Sequence, residues 1–439
     1  MKKSYLTLGA VAAIMASCTN EVLIDQVETS EVEIGFATFA NKVTKAENSE
    51  KDYTLDLNGH HENFAVWGYK NTEADKVFNN QLVEWSSTET KWGYTPVRFW
   101  DKAATTYEFY AAAPKTDENG ATVAWVFNGD DNVDDNAHYF SLAGVTLVGS
   151  NLSNQSSVKT DYEPSFLNAP KVGQGDDAKQ DIDYMIADKK SVGKTAFTST
   201  AVELDFIHIL SRLNVTVKKV NTGDAVVTLK SLEVVNLNSK GDFDESKAAA
   251  DATKKTARWY NQSTTYTINA IKEYTVTTTA AYVLQSLVIP QETAVEKVAL
   301  DGTAADGAVA IADGSKPYIK IVYTIDPDGD GDVPAEKYTA YYNLATVFGV
   351  SGYDNGTILT SETSLDGYYT KSGDVYTACA AGTKADGSST YYKPNTLAFN
   401  EGWQNLLNIT IDPVEIKFTG KVALWDDDLT KDLTVIKND

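Results

Sequence analysis

Apolar and polar residues alternate in six short runs along the chain. In each run the apolar side chains recur at every second position, so an extended backbone places them on one face. The runs occupy residues 32–36, 64–69, 106–110, 202–206, 318–323 and 407–411. A period of two is typical of a strand in a sheet with one buried side, and it predicts a strand at each of these places.

The segments between the runs are polar and rich in glycine, aspartate and asparagine, which are the residues that turns require. Long stretches with the period of a helix are absent. Many short strands joined by such turns predict an all-β fold of antiparallel β-sandwiches. Polar stretches at residues 173–180 and 189–195 interrupt the pattern. We therefore place a domain boundary near residue 200 and expect sandwich domains at residues 46–200 and 201–439.

The chain begins with the layout of an export signal. Two lysines precede an apolar stretch of about ten residues, which is too short to span a bilayer. Residues 15–18 then read Met-Ala-Ser-Cys, and small residues directly before a cysteine resemble the bacterial lipobox. We predict a signal peptide at residues 1–17 and lipidation of Cys18, which would anchor the protein to a membrane. The alternative is a buried cysteine in an ordinary signal peptide.

Charge and cysteine content narrow the function further. The formal net charge of −23 argues against a nucleic-acid partner, which would need a positive face. If Cys18 is an anchor, Cys379 is the only free thiol and no disulfide can form. An exported chain without disulfides must be stabilised by burial, and a hydrophobic fraction of 42% is sufficient for real cores.

No residue pattern in the chain predicts an enzyme. His208 lies in an alternating run, but no nucleophile elbow and no His-x-x-His pattern accompanies it, so we expect a structural histidine. His60 and His61 are adjacent and would face opposite sides of a strand. Phosphate loops, dinucleotide fingerprints and complete zinc spacings are absent. The 61 acidic residues include no motif of a glycosidase pair.

One acidic loop resembles the first half of a calcium-binding loop. Asp326, Asp328, Asp330 and Asp332 alternate with other residues, and a glycine stands at the sixth position. Calcium prefers several oxygen ligands at such spacing. The twelfth position carries Lys337 where the motif has glutamate. Calcium is therefore the one cofactor that the sequence suggests, and a polar acidic turn is the alternative.

The order of motifs from residue 32 onward resembles the fimbrillin family of the Bacteroidales, the surface-lipoprotein pilins and their relatives. The residues that carry this resemblance are 34–36 with 43–46, the aromatic stretches 64–69, 92–100 and 107–114, the strand 204–213, the Pro-Gln motif in 287–291, and the last strands at 405–411 and 422–425. The resemblance covers nearly the whole mature chain. The resemblance rests on the order of these motifs along the chain.

The resemblance implies an outer-membrane lipoprotein with two sandwich domains of transthyretin-like topology, which assembles into a fimbria and serves adhesion. A trypsin-like protease cuts such pilins after the first strand, and the strand leaves together with the lipid. A strand from another subunit then fills the open groove, where backbone hydrogen bonds give affinity and alternate apolar side chains give register. The implied partners are other fimbrial subunits, the processing protease, the outer membrane and a receptor on a host or bacterial surface.

The sequence supplies residues for each of these steps. Val32, Ile34 and Phe36 would be the apolar positions of the first strand. Lys45-Ala46 matches the cleavage position, although the family's pilins usually carry arginine there, and Lys42 is the alternative site. Residues 18–45 would then form a lipidated propeptide. In a subunit that is not cut, Lys45 would be a lysine in a solvated loop.

The carboxy-terminal segment has the pattern of a donor strand. Leu429, Leu433 and Val435 are its apolar positions, and three consecutive aspartates at 426–428 separate it from the preceding strand. The segment could equally be an edge strand of the protein itself.

Two other functions fit a surface lipoprotein made of β-sandwiches. The first is a glycan-binding lipoprotein of a nutrient-uptake system, which would show exposed tryptophans on one platform. The second, a surface hydrolase, has no motif to support it.

Overall fold

The computed structural model describes most of the chain between residues 32 and 437. The described residues are 32–40, 63–117, 120–128, 138–149, 181–197, 201–220, 223–247, 256–270, 273–295, 300–301, 310–311, 316–332, 334–373, 375–412, 416–424 and 436–437. They form strands almost throughout, which confirms the predicted all-β fold. The transthyretin-like topology stays a prediction. No helix in these ranges is long and apolar enough to cross a membrane.

The strands follow one another along the described chain with one short helix and one 3-10 turn. They are β1 (Phe36–Ala40), β2 (Asn63–Lys70), β3 (Thr72–Ser86), β4 (Lys91–Gly93), β5 (Thr106–Ala113), β6 (Val126–Asn128), β7 (Tyr139–Thr146), β8 (Met185–Gly193), β9 (Val202–His208), β10 (Ser211–Lys219), β11 (Val226–Asp244), β12 (Trp259–Asn269), β13 (Tyr274–Val276), β14 (Ala281–Val288), β15 (Gln291–Ala294), β16 (Leu300–Asp301), β17 (Ala310–Ile311), β18 (Tyr318–Asp326), β19 (Glu336–Asn343), β20 (Thr357–Ile358), β21 (Tyr369–Ser372), β22 (Val375–Ala378), β23 (Thr390–Tyr391), β24 (Thr396–Phe399), β25 (Trp403–Ile411), β26 (Ile416–Leu424) and β27 (Ile436–Lys437). The helix α1 (Leu344–Val347) follows β19, and the 3-10 turn (Lys194–Ala196) follows β8.

Three large sheets contain most of these strands. Sheet A has the order β1-β9-β8-β5-β2-β3-β4, and sheet B has the order β14-β10-β25-β26-β27. Sheet C has the order β19-β18-β11-β7-β6, with β12 and β13 also paired to β11. Neighbouring strands are antiparallel except for β1 with β9 and β10 with β25, which are parallel. The pairs β15/β24, β16/β17, β20/β23 and β21/β22 are small two-stranded sheets.

Three hydrophobic cores lie between and within these sheets. The amino-terminal core fills one face of sheet A and includes Ile34, Phe36, Phe64, Phe78, Trp92, Trp100, Phe109, Leu204 and Phe206. The sandwich core between sheets B and C includes Leu213, Val215, Leu229, Val234, Ile319, Ile321, Leu407 and Ile409. The joining core covers the other face of sheet A and includes Trp67, Tyr110, Phe140, Phe243, Trp259, Leu287 and Ile289. Sheet A is therefore covered on both faces.

Burial on both faces explains the unbroken apolar run of β2. Phe64 and Val66 point into the amino-terminal core, whereas Ala65, Trp67 and Tyr69 point into the joining core. Because successive side chains of a strand face opposite sides, a strand that lies between two cores needs apolar residues at nearly every position.

The chain passes from the last strand of sheet A to the first strand of sheet B at Ile209 and Leu210. The strand β9 belongs to sheet A, and β10 begins sheet B directly afterwards. Sheet C also contains β6 and β7, which precede β9 in the chain, so the sheets do not divide at one residue. The expected boundary near residue 200 stays a prediction. The polar stretch at 189–195 that suggested it is the exposed end of β8 and the turn that follows. The Trp259 indole of β12 contacts the link between β9 and β10, because it donates a hydrogen bond to the Ile209 carbonyl at 2.8 Å.

A buried carboxylate lies just before β8. Asp181 is only 6% exposed, and its two oxygens accept hydrogen bonds from the amides of Val148 (2.7 Å) and Gly149 (3.1 Å). Burial raises the pKa of Asp181 from the ordinary value of 3.8 to about 6, and the two hydrogen bonds lower it in part. The folded protein therefore favours the neutral form of this group more than the unfolded chain does.

This shift predicts a pH dependence of stability. Because the folded pKa of Asp181 lies above the unfolded value, its contribution is fully present below pH 3.8 and is lost as the pH rises through about 6. We expect the stability of the wild type, relative to Asp181→Asn, to fall by up to about 3 kcal/mol between those pH values. Urea unfolding over this pH range measures the difference. Asp188→Asn, which removes a charge from the surface, is the control, and parallel pH profiles for wild type and Asp181→Asn would contradict the prediction.

Candidate functional site

The amino-terminal strand segment, residues 32–40, is inserted between two other parts of sheet A. Its side chains alternate as the sequence predicted: Ile34 is fully buried and Phe36 is 6% exposed, while Glu33 is exposed. Val32 is half-buried and packs against the amino-terminal core. The buried series continues one step further than predicted, because Thr38 is only 1% exposed.

The strand β9 forms one wall of the site. It pairs with β1 in parallel, in a register that runs from Phe36 opposite Val202 to Ala40 opposite Phe206. The Val202 amide also donates a hydrogen bond to the Gly35 carbonyl at 2.8 Å.

The segment 92–100 forms the opposite wall. The Ile34 amide donates to the Arg98 carbonyl, and the Trp100 amide donates to the Val32 carbonyl, both at 2.9 Å. The Tyr94 hydroxyl donates to the Ile34 carbonyl at 2.7 Å. We call the space between this segment and β9 the first-strand groove. Because backbone bonds reach residues 32–40 from both walls, the segment closes sheet A around its core.

Phe36 lies at the centre of an aromatic cluster in this groove. Its ring centroid is 5.6 Å from that of Phe78, 5.7 Å from Tyr94, 5.9 Å from Phe109 and 6.1 Å from Phe64, and all four contacts are edge-to-face. Aromatic pairs prefer this arrangement, which stabilises them beyond the area that they bury. Phe36 thus completes the amino-terminal core, although it lies in a segment that precedes the other strands of sheet A in the chain.

Two side chains of the 92–100 wall donate hydrogen bonds to the first strand. The Trp92 indole donates to the Thr38 hydroxyl at 3.1 Å, four residues beyond the Tyr94 contact. Burial raises the pKa of Tyr94 to about 12, so its phenol keeps its proton at neutral pH and acts as a donor. The sequence showed both aromatic residues as part of a motif, but it gave no sign that they hold the first strand. The only local signal was a Trp-x-Tyr spacing that places both rings on one face of a strand.

The contacts that the structure shows in this groove are those by which one strand binds another. Backbone amides and carbonyls of both walls, the Trp92 indole and the Tyr94 phenol contact residues 32–40, and groups of these kinds recognise a strand. If the first strand were absent, two sheet edges would be unpaired and the aromatic core would be open. Unpaired edges beside an apolar cleft are a template for another strand.

Several predicted site residues lie outside the described residues. They are Cys18, Lys42, Lys45, Ala46, His60, His61, Leu429, Leu433 and Val435. Directly after Val435 the chain forms β27, whose residues Ile436 and Lys437 pair with Gly420 and Thr419 of β26. At these two residues the carboxy-terminal segment is an edge strand of its own sheet B.

The acidic loop at 326–332 is a turn between β18 and β19. Two of its carboxylates accept hydrogen bonds from the turn itself, Asp326 from the Gly329 amide (3.1 Å) and Asp330 from the Asp332 amide (2.9 Å). Within the described parts of the chain, no three acidic, histidine or cysteine side chains are grouped as metal ligands. Calcium binding by Asp326, Asp328, Asp330 and Asp332 stays a prediction.

The remaining candidates occupy structural positions. His208 is buried, and its Nδ1 lies 2.8 Å from a carboxylate oxygen of Asp183. Cys379 is half-buried against the small cluster of Leu365, Ala385 and Tyr391. The glycan-binding alternative predicted exposed tryptophans. Of the seven tryptophans that the structure describes, five are buried and two, Trp85 and Trp403, are half-buried.

Comparison with known proteins gives one family and a set of similar structures. The family model described as fimbrillin-like matches residues 44–318. No curated protein matches the chain. A fimbrial protein from Bacteroides vulgatus is 16% identical and has a TM-score of 0.44, with 90% of this chain and 99% of that chain covered. The tip fimbrial protein Mfa3 from Porphyromonas gingivalis, truncated at its C-terminus, is 10% identical and has a TM-score of 0.36, with 90% and 100% covered.

Proposed function

This chain belongs to the fimbrillin-like family, whose model matches residues 44–318 of 439, and from that premise we propose that it is a structural subunit of a surface fimbria. The subunit is exported as an outer-membrane lipoprotein through Cys18 and serves adhesion. It polymerises by strand exchange after proteolysis removes the amino-terminal strand. Its role is structural and not catalytic.

The position of the first strand is the observation that supports this proposal most directly. Residues 32–40 fill the first-strand groove with three buried side chains, yet they come before every other strand of sheet A in the chain. The chain reaches β2 only after residues 41–62, which contain both Lys42 and Lys45. A cut in that interval separates the strand and Cys18 from everything that follows.

The chemistry of the groove supports replacement of the strand rather than simple loss. Departure of residues 32–40 would leave backbone donors and acceptors without partners on both walls and would expose the aromatic cluster around Phe36. Unpaired polar groups and exposed apolar surface are both unfavourable in water. A foreign strand of similar pattern restores both kinds of contact, so exchange leaves the number of contacts nearly unchanged. The carboxy-terminal segment with Leu429, Leu433 and Val435 is the candidate donor to a neighbouring subunit.

Mild trypsin treatment of the soluble chain, residues 19–439, tests the proposal. We expect the first cut near Lys45, then a resistant remainder that slowly forms oligomers, because exposed polar loops are cut before hydrogen-bonded strands. Lys45→Gln should slow this cut several-fold or move it to Lys42. Lys218→Gln removes an exposed lysine inside β10 and should leave the pattern unchanged. Mass spectrometry of the fragments and size-exclusion chromatography measure the two steps.

Two results would contradict the proposal. A first cut inside the described strands would show that the interval 41–62 is not the accessible one. A clean cut near Lys45 without oligomers, at concentrations that bring subunits together, would show that the groove does not exchange its strand.

A further inference from the structure

Thr38 is the one polar side chain among the inward-facing residues of the first strand. Val32, Ile34 and Phe36 precede it on the same face, and all three are apolar. Thr38 is nevertheless 1% exposed, and its hydroxyl accepts the hydrogen bond of the Trp92 indole at 3.1 Å. A buried hydroxyl in an aromatic core is unfavourable unless it is bonded, so the pair must be formed together.

Alternation alone does not fix the position of a strand in this groove. A slip by one residue would turn Glu33, Gly35 and Ala37 inward, and the apolar pattern excludes it. A slip by two residues keeps the same side chains on the inward face, so the apolar pattern does not exclude it. It would place either Phe36 or Ala40 opposite Trp92, and neither side chain can accept a hydrogen bond. The buried indole would then have no acceptor.

The ring of Phe36 adds a size requirement at the neighbouring inward position. The four rings around Phe36 are spaced for an aromatic side chain, with centroids 5.6–6.1 Å away. A slip by two residues would bring Ile34 or Thr38 into this space and leave part of it empty. Cavities of that kind destabilise cores. Ring size and hydroxyl position therefore both reject the slipped registers.

The Tyr94 contact differs from the Trp92 hydrogen bond and the aromatic space around Phe36, because Tyr94 contacts only the backbone of the strand. Its hydroxyl donates to the Ile34 carbonyl, which every residue type provides. Tyr94 therefore holds any strand, whereas Trp92 distinguishes between strands.

We propose that Trp92 is the specificity-determining residue of the first-strand groove, and that it selects strands with a hydroxyl side chain two positions after an aromatic one. For residues 32–40 this fixes the native register. For a strand that replaces them, which rests on the proposed function, it defines the partner: apolar, apolar, aromatic and hydroxyl at alternate positions.

The carboxy-terminal segment of this chain does not fit that pattern. If Val435 occupied the place of Phe36, Lys437 would lie opposite Trp92, and if Leu433 did so, Val435 would lie there. Neither side chain accepts a hydrogen bond. The tail of a second copy would therefore enter the groove with lower affinity, in agreement with the slow self-assembly expected of the cut chain, and a strand from a different subunit that carries the full pattern would bind more tightly.

The intact chain tests whether Trp92 fixes the register of residues 32–40. In a double-mutant cycle, Thr38→Val and Trp92→Phe each remove one half of the hydrogen bond, and Thr38→Ser keeps it. We expect the two changes to be coupled by about fivefold in the unfolding equilibrium constant. Thr38→Ser should recover most of the loss caused by Thr38→Val. Additive effects of the two substitutions, or a serine variant as impaired as the valine variant, would overturn the proposal.

A disulfide reports the register directly. In a chain with Cys18→Ser and Cys379→Ser, a cysteine at Ala37 should cross-link to one at Glu203, its partner in the native register. Cross-linking of Ala37→Cys to a cysteine at Ala201 or Asp205, two residues away, reports a slipped strand. We expect Thr38→Val to raise the slipped product several-fold, and Thr38→Ser to leave it at the wild-type level. If the valine variant cross-linked only to position 203, with no slipped product, Trp92 would not fix the register of the strand.

Labelled peptides test, on the trypsin-cut chain, whether Trp92 selects the strand that replaces residues 32–40. A peptide of residues 32–40 should bind at least fivefold more tightly than the same peptide with valine at Thr38, and a peptide of residues 426–439 should behave like the valine peptide. Equal binding of the threonine and valine peptides would overturn the selection of partners. If no peptide binds while the cycle in the intact chain shows coupling, strand exchange is wrong and the register role of Trp92 still holds.

Discussion

Replacement of Phe36 by alanine is expected to lower the free energy of unfolding by about 3–5 kcal/mol, the range for an aromatic side chain removed from a well-packed core. Phe36 is 6% exposed and contacts four rings of the amino-terminal core. These rings belong to β2, β3, β5 and the segment after β4, so the cavity would affect most of sheet A at once. Urea unfolding followed by tryptophan fluorescence measures the loss, because Trp92 and Trp100 report on the same core.

Phe99→Ala is the matched control for this substitution. Phe99 lies in the wall of the same groove and forms an isolated bridge with Glu33, but its side chain is 45% exposed. Its removal should cost about 1 kcal/mol or less, because little apolar surface is withdrawn from a packed environment. If Phe36→Ala and Phe99→Ala lowered the free energy of unfolding by the same small amount, the first strand would not complete the core. Its departure would then leave no exposed core for a new strand to cover.

The strands of this protein could be predicted from the sequence because their pattern is local. The runs at 64–69, 106–110, 202–206, 318–323 and 407–411 all lie within observed strands. In each of them the side chains of one or both faces enter a core, and a period of two follows directly from the geometry of an extended backbone. The pattern at 32–36 likewise describes which side chains are buried, although the regular ladder of β1 begins only at Phe36.

The connections between strands could not be predicted, because they depend on residues far apart in the chain. Nothing in residues 36–40 indicates a parallel partner at 202–206. The boundary predicted near residue 200 rests in part on the polar stretch at 189–195. The charged residues at 189–195 suggested a linker, but β8 is buried only in its first part, and its exposed end can carry lysines without leaving the sheet.

The candidate site shows the same division between local and long-range information. Ile34 and Phe36 follow from alternation, and their burial is observed. The role of Thr38 does not follow, because a threonine after an apolar run is ordinary in a strand. Its hydroxyl accepts a hydrogen bond from Trp92, which is 54 residues away in the chain. A polar residue that continues the inward face of a strand therefore indicates a buried partner, but the sequence does not identify that partner.

A covalent link between the first strand and β9 should abolish assembly completely. Ala37 and Glu203 are direct neighbours across the parallel ladder, and their side chains face away from the amino-terminal core. Adjacent strands are about 4.8 Å apart, which is within the range of Cα distances that a disulfide spans. The ion pair of Glu203 with Lys190, at 3.8 Å, is exposed and contributes little. Ala37→Cys with Glu203→Cys, in the background without Cys18 and Cys379, should therefore fold normally.

Trypsin should still cut this variant near Lys45, since the link does not involve residues 41–62. In the oxidised protein the severed strand would stay in the groove, and no other strand could enter, so oligomers should be absent. Reduction removes the link and should restore assembly at the wild-type rate, which makes each sample its own control. The single variant Ala37→Cys should assemble with or without reductant. Because only the attachment of one strand differs between the two states, assembly of the oxidised, fully cut protein would mean that subunits join without vacating this groove.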